Sequence, residues 1–265
     1  MIPSAAALWL AGALRARPAA LKLPGLSPRG TVLWVGGHSD DEALVAGALL
    51  IRLAREGHPV FVLTVTRGEG TGIRGAEADE SVALVRRREF CLACTLYGAR
   101  DCFSEAFPSR AHSRSNGVGY EESGEEVLAT WRRLSPVDPV EVVRRWIERL
   151  APEWVITLDP DHGMYGHPEH EAAARIALAA ARRAGARGPR RVYAAENRFR
   201  SLTPGNIDPG PIALEIAADV PCAPRRSCWE LQADAAGIYA SQDLPELAAT
   251  PPAEHSTFLR ELFSR

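Results

Sequence analysis

The stretch from Val32 to Glu42, Val-Leu-Trp-Val-Gly-Gly-His-Ser-Asp-Asp-Glu, constrains this chain more than any other. A short apolar run breaks at two glycines, and a histidine and three acids then fall within five residues. An amphipathic stretch from Ala43 to Gly57 follows directly. The pattern predicts a buried strand, a tight turn and a helix N-terminus, with the polar cluster at the turn. In open α/β sheets, ligands bind in the crevice at the carboxyl ends of the strands. A fold built this way sets a histidine and carboxylates where ligands are held.

The chain continues the same alternation. Gly57 ends the helix and Val60 to Thr66 reads as a second buried strand, so the short links predict two parallel neighbours. Arg67 to Gly75 leaves that strand as a glycine-rich loop. It lacks the Lys-Ser/Thr of a P-loop and the spacing of a dinucleotide fingerprint. Glu77 to Leu96 carries a helical pattern closed by Gly98. From about 101 to 139 regular periodicity fades, which predicts a variable lid or insertion with a helix around 125–134. A short helix over Val140 to Leu150 leads to a third strand, Trp154 to Leu158, and a loop, Asp159 to Gly166. An alanine-rich helix opens at His167-Pro-Glu-His170 and runs to about Arg183. Arg191 to Ala194 and Ile212 to Ala218 read as strands and Arg225 to Gln242 as a helix; the tail from Pro245 has no clear pattern. The economical reading is one α/β domain over 31–265.

Composition narrows the partners. Apolar residues make up 46%, charged residues 24%, and the formal net charge is -2, ordinary values for a globular enzyme. No nucleic-acid footprint is expected, because the arginine groups (Arg86 to Arg88, Arg132-Arg133, Arg182-Arg183) read as solvated helix faces. Five cysteines, an odd count with loose spacing, predict reduced thiols rather than a disulfide framework, which suits a cytoplasmic protein. Ala5 to Leu14 is too short to span a bilayer, and Arg15 and Arg17 follow it rather than precede it. Residues 1–30 therefore read as a helical extension and an extended lead-in, with no membrane contact expected.

Two loops at predicted strand ends carry nearly all the unusual polar chemistry: His38-x-Asp40-Asp41 and His167-x-x-His170. Residues three apart at the first turn of a helix lie on one side of it. A catalytic metal typically takes three protein ligands from His and Asp/Glu, and this inventory leaves one carboxylate and one histidine over. A carboxylate beside a metal can take a proton from water that the metal acidifies to a pKa of about 7, and a histidine can stabilise an oxyanion. The bland reading is that the same residues serve only as hydrogen-bonded loop supports.

These residues also carry a resemblance. Val-Gly-Gly-His-Ser-Asp-Asp-Glu resembles the Ala-His-Pro-Asp-Asp-Glu signature of the PIG-L/LmbE-like family of zinc-dependent N-acetylglucosaminyl deacetylases. Asp159-Pro-Asp-His-Gly-Met-Tyr-Gly-His-Pro-Glu-His170 is similar to the family's second signature, and Thr66-Arg-Gly-Glu69, Arg86-Arg-Arg-Glu89 and Ala240-Ser-Gln242 match shorter ones. The likeness runs in order from about residue 31 to 242. It implies a single Rossmann-like three-layer domain with a mostly parallel sheet. It further implies His38, Asp41 and His170 as zinc ligands, one Zn2+ per chain, with other divalent metals fitting the same donors. Asp40 would be the general base and His167 the group that polarises the scissile carbonyl. Glu169 would stand behind the ligands. From its place in the chain rather than from the resemblance, Asp159 is expected there too, and Arg67 and Glu69 are expected to meet the sugar or to pair with each other. Ser39 stands where the family has proline, and Glu169 where it has aspartate.

The resemblance implies a hydrolase that removes an N-acyl group, acetyl above all, from a glucosamine-type conjugate, in a chain able to form homo-oligomers. The alternatives are an amidase for another amide, such as an acylated antibiotic sugar or a thiol conjugate, and a non-catalytic binding module.

Overall fold

The computed structural model describes residues 23–70, 82–109, 120–196, 211–242 and 256–265. The expected N-terminal helix, the loop beyond Gly70, and Arg110, His112 and Arg114 of the expected lid lie outside the described residues.

The opening strand is β1 (Val32–Gly36), followed by a short helix α1 (Asp41–Val45) and α2 (Gly47–Arg55). Next come β2 (Val60–Thr66), α3 (Val82–Tyr97), β3 (Asp101–Phe107), α4 (Gly124–Leu134) and α5 (Pro139–Leu150). The second half holds β4 (Trp154–Thr157), α6 (Pro168–Arg183), β5 (Arg191–Glu196) and β6 (Leu214–Ala217). A small hairpin of β7 (Pro221–Ala223) and β8 (Arg226–Ser227) leads into α7 (Cys228–Ile238), and β9 (Ser256–Ser264) closes the order.

The strands form one sheet in the order β3-β2-β1-β4-β5-β9-β6. The first five are parallel, and β9 runs antiparallel between β5 and β6. Successive strand side chains point to opposite faces, and the core follows that rule. Val32, Trp34, Val60, Val62, Trp154 and Ile156 pack in the cluster that includes α2, α3 and α7. Leu33, Val35, Leu63, Val65 and Val155 pack in the other, beneath α4, α5 and α6. Both faces are therefore covered, which explains why the central strands are continuously apolar. The result is a three-layer, Rossmann-like α/β fold.

The helices stop and start where their chemistry directs. Ser123 and Glu126 make a reciprocal capping box at α4. Asp138 caps α5, with Pro139 in its first turn. Glu169 and Glu171 sit in the first turn of α6 and Arg182 and Arg183 in its last, matching the helix dipole.

Three expectations change. The stretch from 101 begins as a strand rather than a patternless insertion. β3 lies at the sheet edge with one neighbour, so its residues are mostly half-buried and show little alternation. Phe103 nevertheless packs on Trp146 of α5, ring centres 4.1 Å apart. The C-terminal tail is also a strand: β9 inserts between two others, although Ser-Thr-Phe-Leu-Arg-Glu-Leu-Phe-Ser lacks a clean period of two. Finally, the cysteines are not all reduced. The β7–β8 hairpin brings Cys222 and Cys228 to a Cα separation of 4.9 Å, and they are joined as a disulfide. Cys91, Cys94 and Cys102 are free. Among the described residues no helix is long and apolar enough to cross a membrane.

The α5 C-cap, Ala151, is left-handed, with φ 45° and ψ 52°. A side chain there costs free energy that glycine does not. Ala151→Gly is expected to stabilise the fold by about 0.5–1 kcal/mol, read as a higher urea midpoint; an unchanged or lower midpoint contradicts the strain.

Candidate active site

Strand order places the site. β1 lies between β2 and β4, so the chain leaves β1 toward one side of the sheet and later returns on the other. The carboxyl ends of β1 and β4 flank the crevice opened by that reversal. The β1 loop carries His38 to Asp41, and the loop after β4 ends at His167, the N-cap of α6.

Asp41 organises the first loop. Its Oδ2 accepts the backbone N–H groups of Gly37 and His38, at 2.8 and 2.9 Å. Gly37 must be small, because a Cβ there would stand 3.0 Å from His170 Cδ2 and 3.2 Å from Asp41 Oδ2. Asp41 Oδ1 faces inward, 3.0 Å from His170 Nε2 and 3.6 Å from His38 Nδ1. The two imidazole nitrogens are themselves 2.9 Å apart.

Three donor atoms thus converge at spacings of 2.9–3.6 Å. Ligands at about 2.1 Å in a tetrahedral set lie about 3.4 Å from each other, so the donors fit a small divalent ion. Donor atoms of His38, His167 and His170 lie within 4.8 Å of one another, as do those of His38, Asp40 and Asp41. The electrostatics agree. Burial opposes charge on His38, yet hydrogen bonds and charges from Asp41 and Glu169 push its pKa up to about 10. Burial likewise opposes charge on Asp41, but His170 and His38 hold its carboxyl well below the usual range. The cluster favours positive charge at its centre.

Glu169 stands behind this cluster in a way the sequence did not specify. Its Oε2 lies 2.5 Å from His38 Nε2 and 2.9 Å from Ser109 Oγ. A carboxylate on the far nitrogen of a donor histidine fixes the ring and its tautomer. Asp159, expected behind the ligands too, is engaged elsewhere: it accepts from Arg260 and from the N–H groups of Asp161 and His162. It shapes the loop rather than touching a donor ring. His170 Nδ1 is buried with no hydrogen-bond partner among the described residues.

His167 and Asp40 flank the donors. His167 Nδ1 accepts the Glu169 N–H at 3.2 Å, which leaves Nε2 to carry the proton of a neutral ring. Burial, then the neighbouring His170 and His38, push its pKa down, so the ring is neutral. Asp40 is at the N-cap of α1 yet caps no N–H; its Oδ2 is 3.0 Å from Arg86 Nη2. Arg67 lines a small cavity with Ser39, Arg87, Phe90 and Ser104. Arg67 and Glu69 are both exposed.

A family model described as GlcNAc-PI de-N-acetylase (PIG-L) matches residues 33–181. The chain belongs to the PIG-L family. A 1D-myo-inositol 2-acetamido-2-deoxy-alpha-D-glucopyranoside deacetylase of Kineococcus radiotolerans is 34% identical over 171 residues, 57% of this chain and 45% of that protein. One from Saccharomonospora viridis is 32% identical over 181 residues, 66% of this chain and 65% of that protein. The chain thus spans about half to two thirds of the length of the curated relatives it matches. A deacetylase solved with teicoplanin shares the fold: TM-score 0.64, 18% identity, covering 87% of this chain and 97% of that one.

Several PIG-L site neighbours escaped sequence reading. Ser109 and Tyr120 fall in the stretch read as lid, and the Tyr120 ring centre is 4.4 Å from that of His167. Tyr165 stands edge-on to His170 at 5.3 Å. Tyr120 has no spacing signal that would mark it, whereas Tyr165 falls inside the second signature and was not singled out there. Glu42, fourth of the polar run, lies buried beneath the site and accepts from Tyr97 and Tyr239.

Two predictions follow from these positions. Asp41→Ala removes one donor and both loop hydrogen bonds; metal content by mass spectrometry is expected to fall well below that of wild type, and full occupancy would contradict the donor set. Burial, with Asp40 and Asp41 nearby, pushes Glu42 from its ordinary 4.5 up to about 8. The neutral form thus supports the fold fully below pH 4.5, and this contribution is lost as pH rises through about 8. Glu42→Gln is expected to remove that decline, worth on the order of a few kcal/mol, in denaturation series across pH; parallel curves would refute it.

Proposed function

We propose that this chain is a metal-dependent N-deacetylase that hydrolyses the acetamido group of a 2-acetamido-2-deoxyglucose conjugate. The observation that carries the reading is the convergence of His38 Nδ1, Asp41 Oδ1 and His170 Nε2 at 2.9–3.6 Å. Asp40 and His167 each bring a side-chain atom close to that convergence. Membership of the PIG-L family, and relatives named as acetamido-glucopyranoside deacetylases, support the choice of amide and sugar.

His38, Asp41 and His170 would hold the ion, and two imidazoles with one carboxylate suit zinc while admitting iron, manganese or cobalt. When bound, the ion supplies Lewis-acid polarisation of the amide carbonyl and acidifies water. The Asp40 carboxylate accepts a proton from the attacking water as the new C–O bond forms. His167, neutral with its proton on Nε2, donates a hydrogen bond to the carbonyl oxygen as that oxygen gains negative charge. The C–N bond then breaks, and the proton held by Asp40 passes to the leaving amine. Water and amide become acetic acid and amine, which at neutral pH part as acetate and ammonium, with no other reactant. Glu169 keeps the His38 ring turned so that Nδ1 faces the other donors. Arg67, which lines a small cavity with Ser39, would meet the sugar or its aglycone.

The test is metal analysis coupled to amine release from a small library of N-acetylglucosaminides and non-sugar amides. Metal-loaded protein is expected to release amine from the sugars, and a chelator to abolish release. Asp40→Asn is expected to keep its metal and lose about 10²–10⁴-fold in kcat. Near-wild-type turnover in that variant would remove Asp40 from its role, and amine release from non-sugar amides alone would reject the sugar assignment.

A further inference from the structure

We propose that Cys102 and Cys91 form a thiol–disulfide exchange site that reacts with low-molecular-weight disulfides, Cys102 attacking first and Cys91 resolving. The site lies at the amino end of β3, whereas the metal donors follow the carboxyl ends of β1 and β4, and its chemistry is independent of the deacetylase reading. The end of α3 builds it. This helix stops at a left-handed glycine, Gly98, with φ 74°. The Ala99 N–H closes on the Cys94 carbonyl at 3.0 Å, and the Arg100 N–H bonds the Val60 carbonyl at 2.7 Å. The chain thus reverses within a few residues and enters β3 with Cys102 opposite Val62 of β2. That reversal brings the Cys102 and Cys91 sulfurs to 3.8 Å. A disulfide needs about 2.0 Å, a closure of about 1.8 Å. Cys91 is exposed on its helix, so a change of rotamer can supply that movement.

Cys91-Leu-Ala-Cys94 has the spacing of a redox pair. The fold assigns the pairing otherwise. Cys94 is 4% exposed and packs in the core, closed to a reagent, while Cys102 is half-buried. The thiolate is the nucleophile in exchange, and the best attacking thiol has a pKa near the ambient pH. The Cys94 thiol, against the burial that opposes charge, and then the Cys91 thiol bring Cys102 down from its ordinary 9.0 to about 7. Burial and then Cys102 push Cys91 and Cys94 the other way. Arg87, one turn before Cys91, sets positive charge beside Cys91 and Cys102; Asp101 opposes it at Cys102, and Glu42 faces Cys94. Each thiol therefore has its own part: Cys102 attacks, exposed Cys91 resolves, and buried Cys94 supports the Cys102 thiolate from behind.

The Cys102 thiolate attacks one sulfur of the incoming disulfide. A bond from Cys102 to that sulfur forms, the S–S bond of the reagent breaks, and its other half leaves as a thiolate with the electron pair. Cys91 then gives its proton to solvent and attacks the Cys102 sulfur, which forms the Cys91–Cys102 bond and releases the second thiolate. Two protein thiols are oxidised, one small disulfide is reduced to two thiols, and those thiols take up the two protons. The product staples the last turns of α3 to the start of β3.

The experiment adds oxidised glutathione near neutral pH to the full chain after mild reduction, and follows intact mass and peptide maps with time; Cys222 and Cys228 map separately. Wild type is expected to lose two hydrogens at Cys91 and Cys102 and to retain no glutathione. Cys91→Ser should stop at one glutathione on Cys102, and Cys102→Ser should slow capture by about tenfold or more. Cys94→Ala removes the thiol behind Cys102 and should slow the first capture by about threefold, with Cys94→Ser recovering part of the loss. Absence of reaction in wild type overturns the proposal, as does glutathione that persists on it. So does a first adduct on Cys91, a bond that uses Cys94 in place of either partner, or unchanged capture in Cys102→Ser. Should Cys102→Ser not fold, Cys91→Ser, changed only at an exposed position, decides by whether its adduct sits on Cys102. Mass is the readout throughout, so failure here leaves the deacetylase reading as it stands.

Discussion

A buried carboxylate shared between backbone and imidazole is the interaction on which the rest of the site depends. Asp41 spends one oxygen on the N–H groups of Gly37 and His38 and the other on His170 and His38. The first pair of bonds sets the course of the chain as it leaves β1. The second sets the partner it must face across the crevice. Hydrogen bonds to a charged group contribute about 1.5–3 kcal/mol each, enough to offset burying the carboxylate at 1% exposure. Because one side chain does both jobs, loop geometry and donor geometry cannot vary separately.

Around that carboxylate the charges are arranged in tiers. Negative groups (Asp41, Glu169) press on His38 from two sides, which makes the centre of the cluster a natural seat for a cation. The neutral His167 ring stands apart, its Nδ1 occupied by the first turn of α6. Glu42 lies underneath, kept from ionising by burial and joined through Tyr97 and Tyr239 to α3 and the end of α7. Acids that stand close together in sequence or space thus take different electrostatic roles, set by what each one touches.

Much of this could be read before any coordinates. The strand–turn–helix at Val32–Glu42, the parallel pairing of β1 with β2, and α6 over Pro168–Arg183 follow from apolar runs and helix signals strong enough to decide locally. So does the presence of His38, Asp41 and His170 at two strand ends. What stayed hidden depends on tertiary partners. β3 is an edge strand whose half-buried residues carry little alternation, and β9 owes its state to the two strands between which it lies. The Cys222–Cys228 bond depends on a hairpin of a few residues. In the site, the partner of Asp159, Arg260, comes from the tail that had no legible pattern. Ser109 and Tyr120 could not be picked out, since nothing in their own neighbourhood separates them from ordinary loop residues.

That long reach from β9 carries a kinetic meaning. Arg260 meets Asp159 across 101 positions of chain, and Asp159 in turn orders the turn that leads to His167. During synthesis, β1, β4 and both histidines are all made well before this arginine exists. Without β9 the carboxylate at the base of the loop between β4 and α6 would keep its two backbone donors and lose its only arginine among the described residues. Contacts so far apart in sequence form slowly, so the loop that leads to His167 owes part of its order to the last strand of the chain, two places from β4 in the sheet.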